Sequence, residues 1–412
     1  MVDWPHMLRG LAVNQSTRTL SWFAAPDAAY RVFAFNSASE TDPGKAVATA
    51  TVARTGPGRD LMNSTVSFSL GELFLPAGVT YYLRVQVLTK DGDANTIPGR
   101  APLLWGANST LSSPVAYTLA SGAADPALPK ATVTPTAPSD DEAKSVQDAV
   151  AALTKDAEER WGGKIDQAGP AIVVALENDV PTVVTLKDLP NGLDPSAITT
   201  MAALNKDGTL TPLPTRVDDD GVITVVVSES AILVPLSVQA AFTDIGNLVA
   251  HVKTEVESAA AYMIVEGFRD RTFRPGVRVT VHQAVTMFLR ATGIPVEWAS
   301  AMATGTENGF ILPGMTPSAQ MSRIQASHLI RRALSSFGMD YDLTSAEIDE
   351  LLAPFTDMAG MSAADRMAMA VCVKIGVFSG TSATLINPNG ILNRSQMASL
   401  AVRLQNVLFG LS

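Results

Sequence analysis

Three four-residue runs in the C-terminal part of the chain combine residue types that can bind: Thr280-Val281-His282-Gln283, Ser322-Arg323-Ile324-Gln325 and Asn393-Arg394-Ser395-Gln396. Each opens an apolar, helix-like stretch, and an Arg follows nine residues after its second position, at Arg290, Arg332 and Arg403. Thr280, Ser322 and Asn393 are small polar residues whose side-chain oxygen can accept from a free N–H at a helix start. Gln283, Gln325 and Gln396, three positions on, complete a capping box. Arg323 and Arg394 then stand in the first helical turn, the electrostatically poor end for a cation. Their recurrence there points to an anion held jointly by a guanidinium and helix N-terminal amides. The chemistry expected is recognition.

Catalytic constellations are thin by comparison. His6, His251, His282 and His328 show no metal-ligand spacing, and the chain has neither a Gly-rich phosphate loop nor a nucleophile elbow. The acid pairs Glu158-Glu159 and Asp349-Glu350 fall in predicted helices without companions and read as solvated faces. Asp218-Asp219-Asp220-Gly221 lacks the further spaced acids of a calcium loop and reads as a hairpin tip. Cys372, the single cysteine, sits in the apolar run Met367 to Val377 and reads as a small buried hydrophobe with no disulfide partner. No enzyme activity, cofactor or metal is expected.

A chain of 412 residues, 47% hydrophobic, can fill two to four cores. Its net charge of -10 arises mostly upstream of residue 244 and is unclustered, which argues against a nucleic-acid partner. No run approaches the roughly 18 apolar residues of a membrane span. Met1 to Gly10 lacks a basic segment followed by an apolar one, so no signal peptide is read; a chain working outside the cell is expected to have lost its beginning.

The elements that would carry these residues differ along the chain, giving a multidomain fold class. Residues 10–121 read as all-β, with strands at Arg18 to Phe23, Tyr30 to Phe35, Val47 to Ala53, Thr65 to Leu70, Thr80 to Thr89 and Val115 to Leu119. Turn residues at Pro76-Ala77-Gly78 and Lys90-Asp91-Gly92 punctuate them, a spacing that suggests a β-sandwich. Ser21-Trp22, Ala29-Tyr30-Arg31-Val32, Leu73 and the run Pro76 to Val85 with its Tyr81-Tyr82 pair resemble a fibronectin type III domain. That resemblance implies that the Trp fills the core, and that the module is a spacer. Residues 122–138, rich in Ala, Pro and Thr, read as a linker. Ser139 and Glu142 form a capping box for a helix over 139–163, with Val146, Val150, Leu153, Ala157 and Trp161 on one face, ended by Gly162-Gly163. A small β-rich domain over 164–240 follows, with strands at Ile172 to Leu176, Thr182 to Leu186 and Thr200 to Leu204 and a hairpin about Gly221. By its position and its Ile232-Leu233-Val234-Pro235 strand it resembles the β-domain found before cell-wall-binding repeats.

The last third is all-α and repetitive, which makes it a repeat architecture. Phe242-Thr243-Asp244-Ile245 starts one unit (241–293) and Phe355-Thr356-Asp357-Met358 another (355–409). Between start and quartet stand Ile264-Val265-Glu266-Gly267 with Thr272-Phe273 and Pro275, and Val377-Phe378-Ser379-Gly380 with Asn387-Pro388. The middle unit (294–339) is shorter, running from Trp298 through Gly309-Phe310-Ile311 and Pro313-Gly314 to Pro317; an insertion (340–354), with a helix start at Thr344 to Glu347, follows it. Phe-x-Asp-Ile, Gly-Ile-Val-x-Gly, Thr-Phe-x-Pro and a Thr-Arg-Ala-Glu-like quartet, in this order, resemble S-layer homology repeats.

That resemblance implies a pseudo-threefold helical bundle whose grooves bind a pyruvylated secondary cell-wall polysaccharide, at the cell wall or surface layer of a bacterium. Self-association in such a layer is a further expectation. Carried over residue by residue, Arg323 and Arg394 would contact the pyruvate carboxylate, and the loops at Gly267, Gly309 and Gly380 would shape the sugar pocket. Asp244 and Asp357 would orient the groove, and Trp298 would offer an apolar face. The alternative for both arginines is a structural ion pair, and for Trp298 a place in a core. Val281 replaces the expected Arg, so its groove is expected to be weak or empty; Gln replaces the family Glu in all three quartets, and His251 and Ala364 stand near the place of the expected Trp. Two other readings of the chain are a non-catalytic portion of a larger secreted carbohydrate-active enzyme and a degenerate scaffold without polysaccharide binding.

Overall fold

The structure, a computed structural model, describes residues 11–14, 19–23, 29–52, 65–73, 75, 77, 79–88, 111–112, 114–118, 125–312 and 314–411. Of the expected features, the Lys90-Asp91-Gly92 turn, Pro76, Gly78, Pro313 and the outer ends of four strands (Arg18, Ala53, Thr89, Leu119) lie outside the described residues. The chain is a mixed multidomain protein, with sheets upstream and helices at its C-terminal end.

Seven strands are described in the first 125 residues: β1 (Ala12–Asn14), β2 (Thr19–Phe23), β3 (Ala29–Phe35), β4 (Ala48–Val52), β5 (Thr65–Ser69), β6 (Thr80–Leu88) and β7 (Val115–Thr118). They pair antiparallel in two sheets, ordered β1-β2-β5 and β4-β3-β6-β7. Both sheets contribute to one core, in which Leu20 and Trp22 meet Tyr30, Val32, Leu83 and Val85. Trp22 is fully buried with its ring edge-on to Tyr30 at 5.2 Å. Alternation along β3 and β6 explains this, because every second side chain of a strand reaches the same face.

Nine strands follow. β8 (Lys130–Val133), β11 (Thr182–Leu186), β14 (Thr215–Val217) and β15 (Ile223–Val227) form one sheet, ordered β14-β15-β11-β8. β9 (Lys164–Gln167), β10 (Ile172–Val174), β12 (Thr200–Leu204), β13 (Leu210–Leu213) and β16 (Ala231–Gln239) form the other, ordered β10-β16-β12-β13 with β9 also on β16. The stretch expected as a linker therefore supplies a strand. β8 runs parallel to β11, and Pro129 and Pro135 flank it instead of interrupting its ladder. Thr136 then exchanges backbone hydrogen bonds with Val173 of the second sheet. At the β14–β15 hairpin, Gly221 has φ +77, and the Asp218 carboxylate accepts from the amides of Asp220 and Val222. The aspartate run thus closes its own turn.

Helix α1 (Asp140–Trp161) starts at the Ser139–Glu142 capping box and ends at Gly162, φ 72. Its buried stripe of Val146, Ala157 and Trp161 packs on Ile165, Ala202, Val234, Leu236 and Val238 of the five-stranded sheet. Seven helices complete the chain: α2 (Ala250–Ala261), α3 (Val281–Ala291), α4 (Ala301–Glu307), α5 (Arg323–Ser336), α6 (Ser345–Leu352), α7 (Ala363–Lys374) and α8 (Arg394–Leu408). Residues 341–353, which include α6 and its Thr344–Glu347 capping box, group with the N-terminal sheets, where the amide of Ala77 donates to the Leu343 carbonyl at 2.8 Å. Among the described residues, no helix is long and apolar enough to cross a membrane.

Candidate functional site

The three quartets open α3, α5 and α8, and each closes a capping box. Thr280, Ser322 and Asn393 accept from the amides of Gln283, Gln325 and Gln396 at 3.3, 3.3 and 2.9 Å, and each Gln side chain accepts from its own cap amide. The next amides are taken by a neighbouring segment. Val281 and His282 donate to the carbonyls of Ala319 and Pro317, Arg323 and Ile324 to Gly390 and Pro388, and Arg394 and Ser395 to Val277 and Pro275. First segment leans on second, second on third, third on first. Just upstream, Val279 donates to Leu392, Leu392 to Met321 and Met321 to Val279, closing a hydrogen-bonded ring of three buried residues. This corrects one expectation: the first amides of each helix donate to carbonyls of a neighbouring segment, so they do not point at a ligand.

The guanidinium groups follow the same cyclic order. Arg323, 9% exposed, donates from Nε to the Ile386 carbonyl at 2.7 Å and from Nη2 to Ser379 at 2.8 Å, and lies 4.6 Å from the Phe378 ring centroid. Arg394, 6% exposed, makes the equivalent bonds to Phe273 at 2.8 Å and Glu266 at 2.9 Å, against the rings of Phe273 and Phe268. Among the described residues neither forms a salt bridge, and the remaining N–H groups of both have no protein acceptor. The structural ion pair is thus replaced by a carbonyl clamp. Burial pushes both side chains down to about 10; nearby Asp357 opposes this for Arg323, and Arg274 adds to it for Arg394. Val281, fully buried, occupies the corresponding place in the first quartet.

The clamped loops are built alike. Asp244 accepts from the amides of Phe273 and Arg274, both at 2.7 Å, and Asp357 from those of Ile386 and Asn387 at 3.0 and 2.6 Å. Each carboxylate therefore fixes the strip of backbone that an arginine grips from the other side. Gly267 and Gly380 are needed for close approach: a Cβ would stand 2.7 Å from Phe242 Cε1 at one and 2.3 Å from the Ser382 carbonyl at the other. Gly309 differs, with φ +73 and open space around it. Trp298 is 51% exposed, outside any core, with its ring 4.1 Å from that of His282, whose Nε2 hydrogen-bonds the Trp298 carbonyl at 2.8 Å.

The later arginines reach back to the loop of their own segment. Arg290 pairs with Glu266 at 2.8 Å, Arg332 donates to the Gly309 carbonyl and Arg403 to the Val377 carbonyl; Arg403 also pairs with Glu255 on α2 of the first segment at 2.8 Å. Glu266 was not legible as a site residue. Its carboxylate takes Arg290 and, from α1, Arg160 at 2.6 Å, while its carbonyl takes Arg394. Those partners are too distant in sequence for any local pattern to join them. Arg274 and Phe268 were equally hidden, although Arg274 occupies the variable position of the Phe273-x-Pro275 motif, whereas Phe273 and Phe378 stood in the motifs without a role as partners of the arginines. Cys372 is buried, its Sγ facing the Ser327 carbonyl, and burial raises its thiol well above the usual range.

Residues 354–398, which contain Asp357, Gly380 and the third quartet, match the family model of the S-layer homology domain. That domain is known for cell-wall anchoring through wall polymer, and its presence is consistent with a bacterial surface protein. No curated protein matches the chain.

Proposed function

We propose that this chain is a non-catalytic surface protein held to the bacterial wall by three S-layer homology repeats. Residues 241–293 and 294–339 act with 355–409, and the grooves clamped by Arg323 and Arg394 take the carboxylate of a pyruvylated secondary cell-wall polysaccharide. The observation that carries this reading is the pair of nearly buried guanidinium groups, equivalent in position, without carboxylate partners and with N–H groups left over. The N–H groups that the carbonyls leave over can donate to an anionic ligand in charge-assisted hydrogen bonds. Gly267, Gly309, Gly380, Asp244 and Asp357 shape the loops, and Trp298 offers its exposed ring to a sugar. The groove at Val281 lacks the cation and serves the fold. The N-terminal sheets act as a fibronectin type III-like spacer, a reading supported by their three- and four-stranded order around Trp22.

Sedimentation with purified wall sacculi, before and after removal of the pyruvylated polymer, tests the anchoring. The protein is expected to pellet only with untreated sacculi. Arg323→Ala and Arg394→Ala are each expected to weaken binding by about 1.5–3 kcal/mol, the range for a charged hydrogen bond. Equal pelleting with both preparations would overturn the pyruvate mechanism, and pelleting with neither would leave the degenerate-scaffold reading.

A further inference from the structure

The two arginine-clamped loops share a backbone plan but not a charge. The loop gripped by Arg394 reads Gly267-Phe268-Arg269-Asp270-Arg271-Thr272-Phe273-Arg274, whereas Gly380 to Gly390, gripped by Arg323, contains no charged residue. Arg274 and Asn387 are equivalent, since each donates its amide to the orienting aspartate of its loop. Both adopt left-handed backbone, φ 58 and φ 54. Asn tolerates that region better than Arg, so the arginine is not there for the turn. Its guanidinium lies 3.9 Å from the centroid of Phe268, the same ring that Arg394 approaches to 5.0 Å. Arg274 is about half exposed; it donates to Thr272 and pairs with Asp270 at 3.0 Å, and the hydrogen bond from Thr272 leads in holding the Asp270 carboxyl down to about 2. Arg269, exposed, has no hydrogen bond or salt bridge among the described residues, so Asp270 does not neutralise the strip.

We propose that the groove of Arg394 carries a second anion subsite, formed by Arg274 and Arg269 beside Phe268, so that it takes a polysaccharide segment bearing acidic groups on two neighbouring sugars. The groove of Arg323, with Asn387 in the equivalent place, takes one. This rests on the groove reading above and adds a difference between the two grooves. Both guanidinium groups lie within 5.0 Å of the Phe268 ring, close enough for Arg274 to act on Arg394 as a like charge, and two acidic groups on neighbouring sugars offset that repulsion.

The test uses the full chain carrying Arg323→Ala, so that the other groove is silent, and two titrants. One is a pyruvate-ketal N-acetylmannosamine with a single carboxylate, the other a disaccharide bearing two such ketals. Arg274→Asn, which installs the residue already used at the equivalent turn, is expected to weaken the two-carboxylate titrant by roughly two- to fivefold, the range for an exposed ion pair, and to flatten its salt dependence. The one-carboxylate titrant should bind as before. Equal change for both titrants, or none for either, overturns the second subsite alone, provided that Arg394→Ala still weakens the binding of both. If the chain without Arg274→Asn binds neither titrant, the groove reading falls and this subsite with it.

Discussion

Arg323 and Arg394 each give two N–H groups to loop carbonyls and keep the others free of protein acceptors among the described residues. The same bonds make each arginine a fastener, which is why loss of the side chain has to be read in binding and in stability separately. The glycines of these loops allow a sharper separation. Gly380→Ala forces a Cβ against the Ser382 carbonyl and the Phe355 ring, and is expected to cost about 1–3 kcal/mol, as overpacking does. Gly309→Ala meets open space and should cost only the left-handed backbone penalty, about 1–2 kcal/mol. Urea midpoints of the two variants check the order; a Gly309→Ala cost clearly above that of Gly380→Ala would contradict the close-approach account.

At the scale of elements, α1 joins the middle sheets to the first helical segment by two kinds of contact. Arg160 reaches Glu266 from a half-exposed position, whereas Trp161 is buried, with its ring 6.4 Å from that of Phe242. Exposed ion pairs contribute little, and buried aromatic area contributes much. Arg160→Ala is therefore expected to lower stability by less than about 1 kcal/mol, and Trp161→Ala by about 3–5 kcal/mol, both read from denaturant curves. A seam dominated by charge would invert that ranking. The apolar stripe of α1 was legible from its 3.6-residue period, but the five-stranded sheet it covers was not, because β9, β12 and β16 come together only by long-range pairing. β8 was missed for a related reason: its Pro- and Thr-rich surroundings carry a linker composition, and only β11 makes it a strand.

Over the helical region, the ring of Val279, Met321 and Leu392 turns three sequence-separated helix starts into one structure. Each member donates to one neighbour and accepts from the other, and all three are fully buried, so water reaches none of the bonds while the segments stay packed. Their three amides are expected to exchange hydrogen at one common slow rate, set by global unfolding and not by local fraying. Native-state hydrogen exchange checks this, and rates differing by orders of magnitude among the three would show that the segments open independently.

Features whose partners lie within a few residues are already written in the order of the amino acids. The capping boxes at Thr280, Ser322 and Asn393, the start of α6 at Thr344 and the Asp-Gly hairpin tip all form by contacts spanning two to four residues. Local chemistry suffices there, since the same side chain and amide meet in any fold that permits the turn. What Arg394 grips depends on long-range packing, because the Phe273 and Glu266 carbonyls are brought to it by closure of the ring. Packing also decided that the helix N-terminal amides are already occupied, and that Arg274 shares a ring with Arg394. Backbone carbonyls are chemically identical at every residue, so a sequence can name a donor while leaving its acceptor to the geometry of packing.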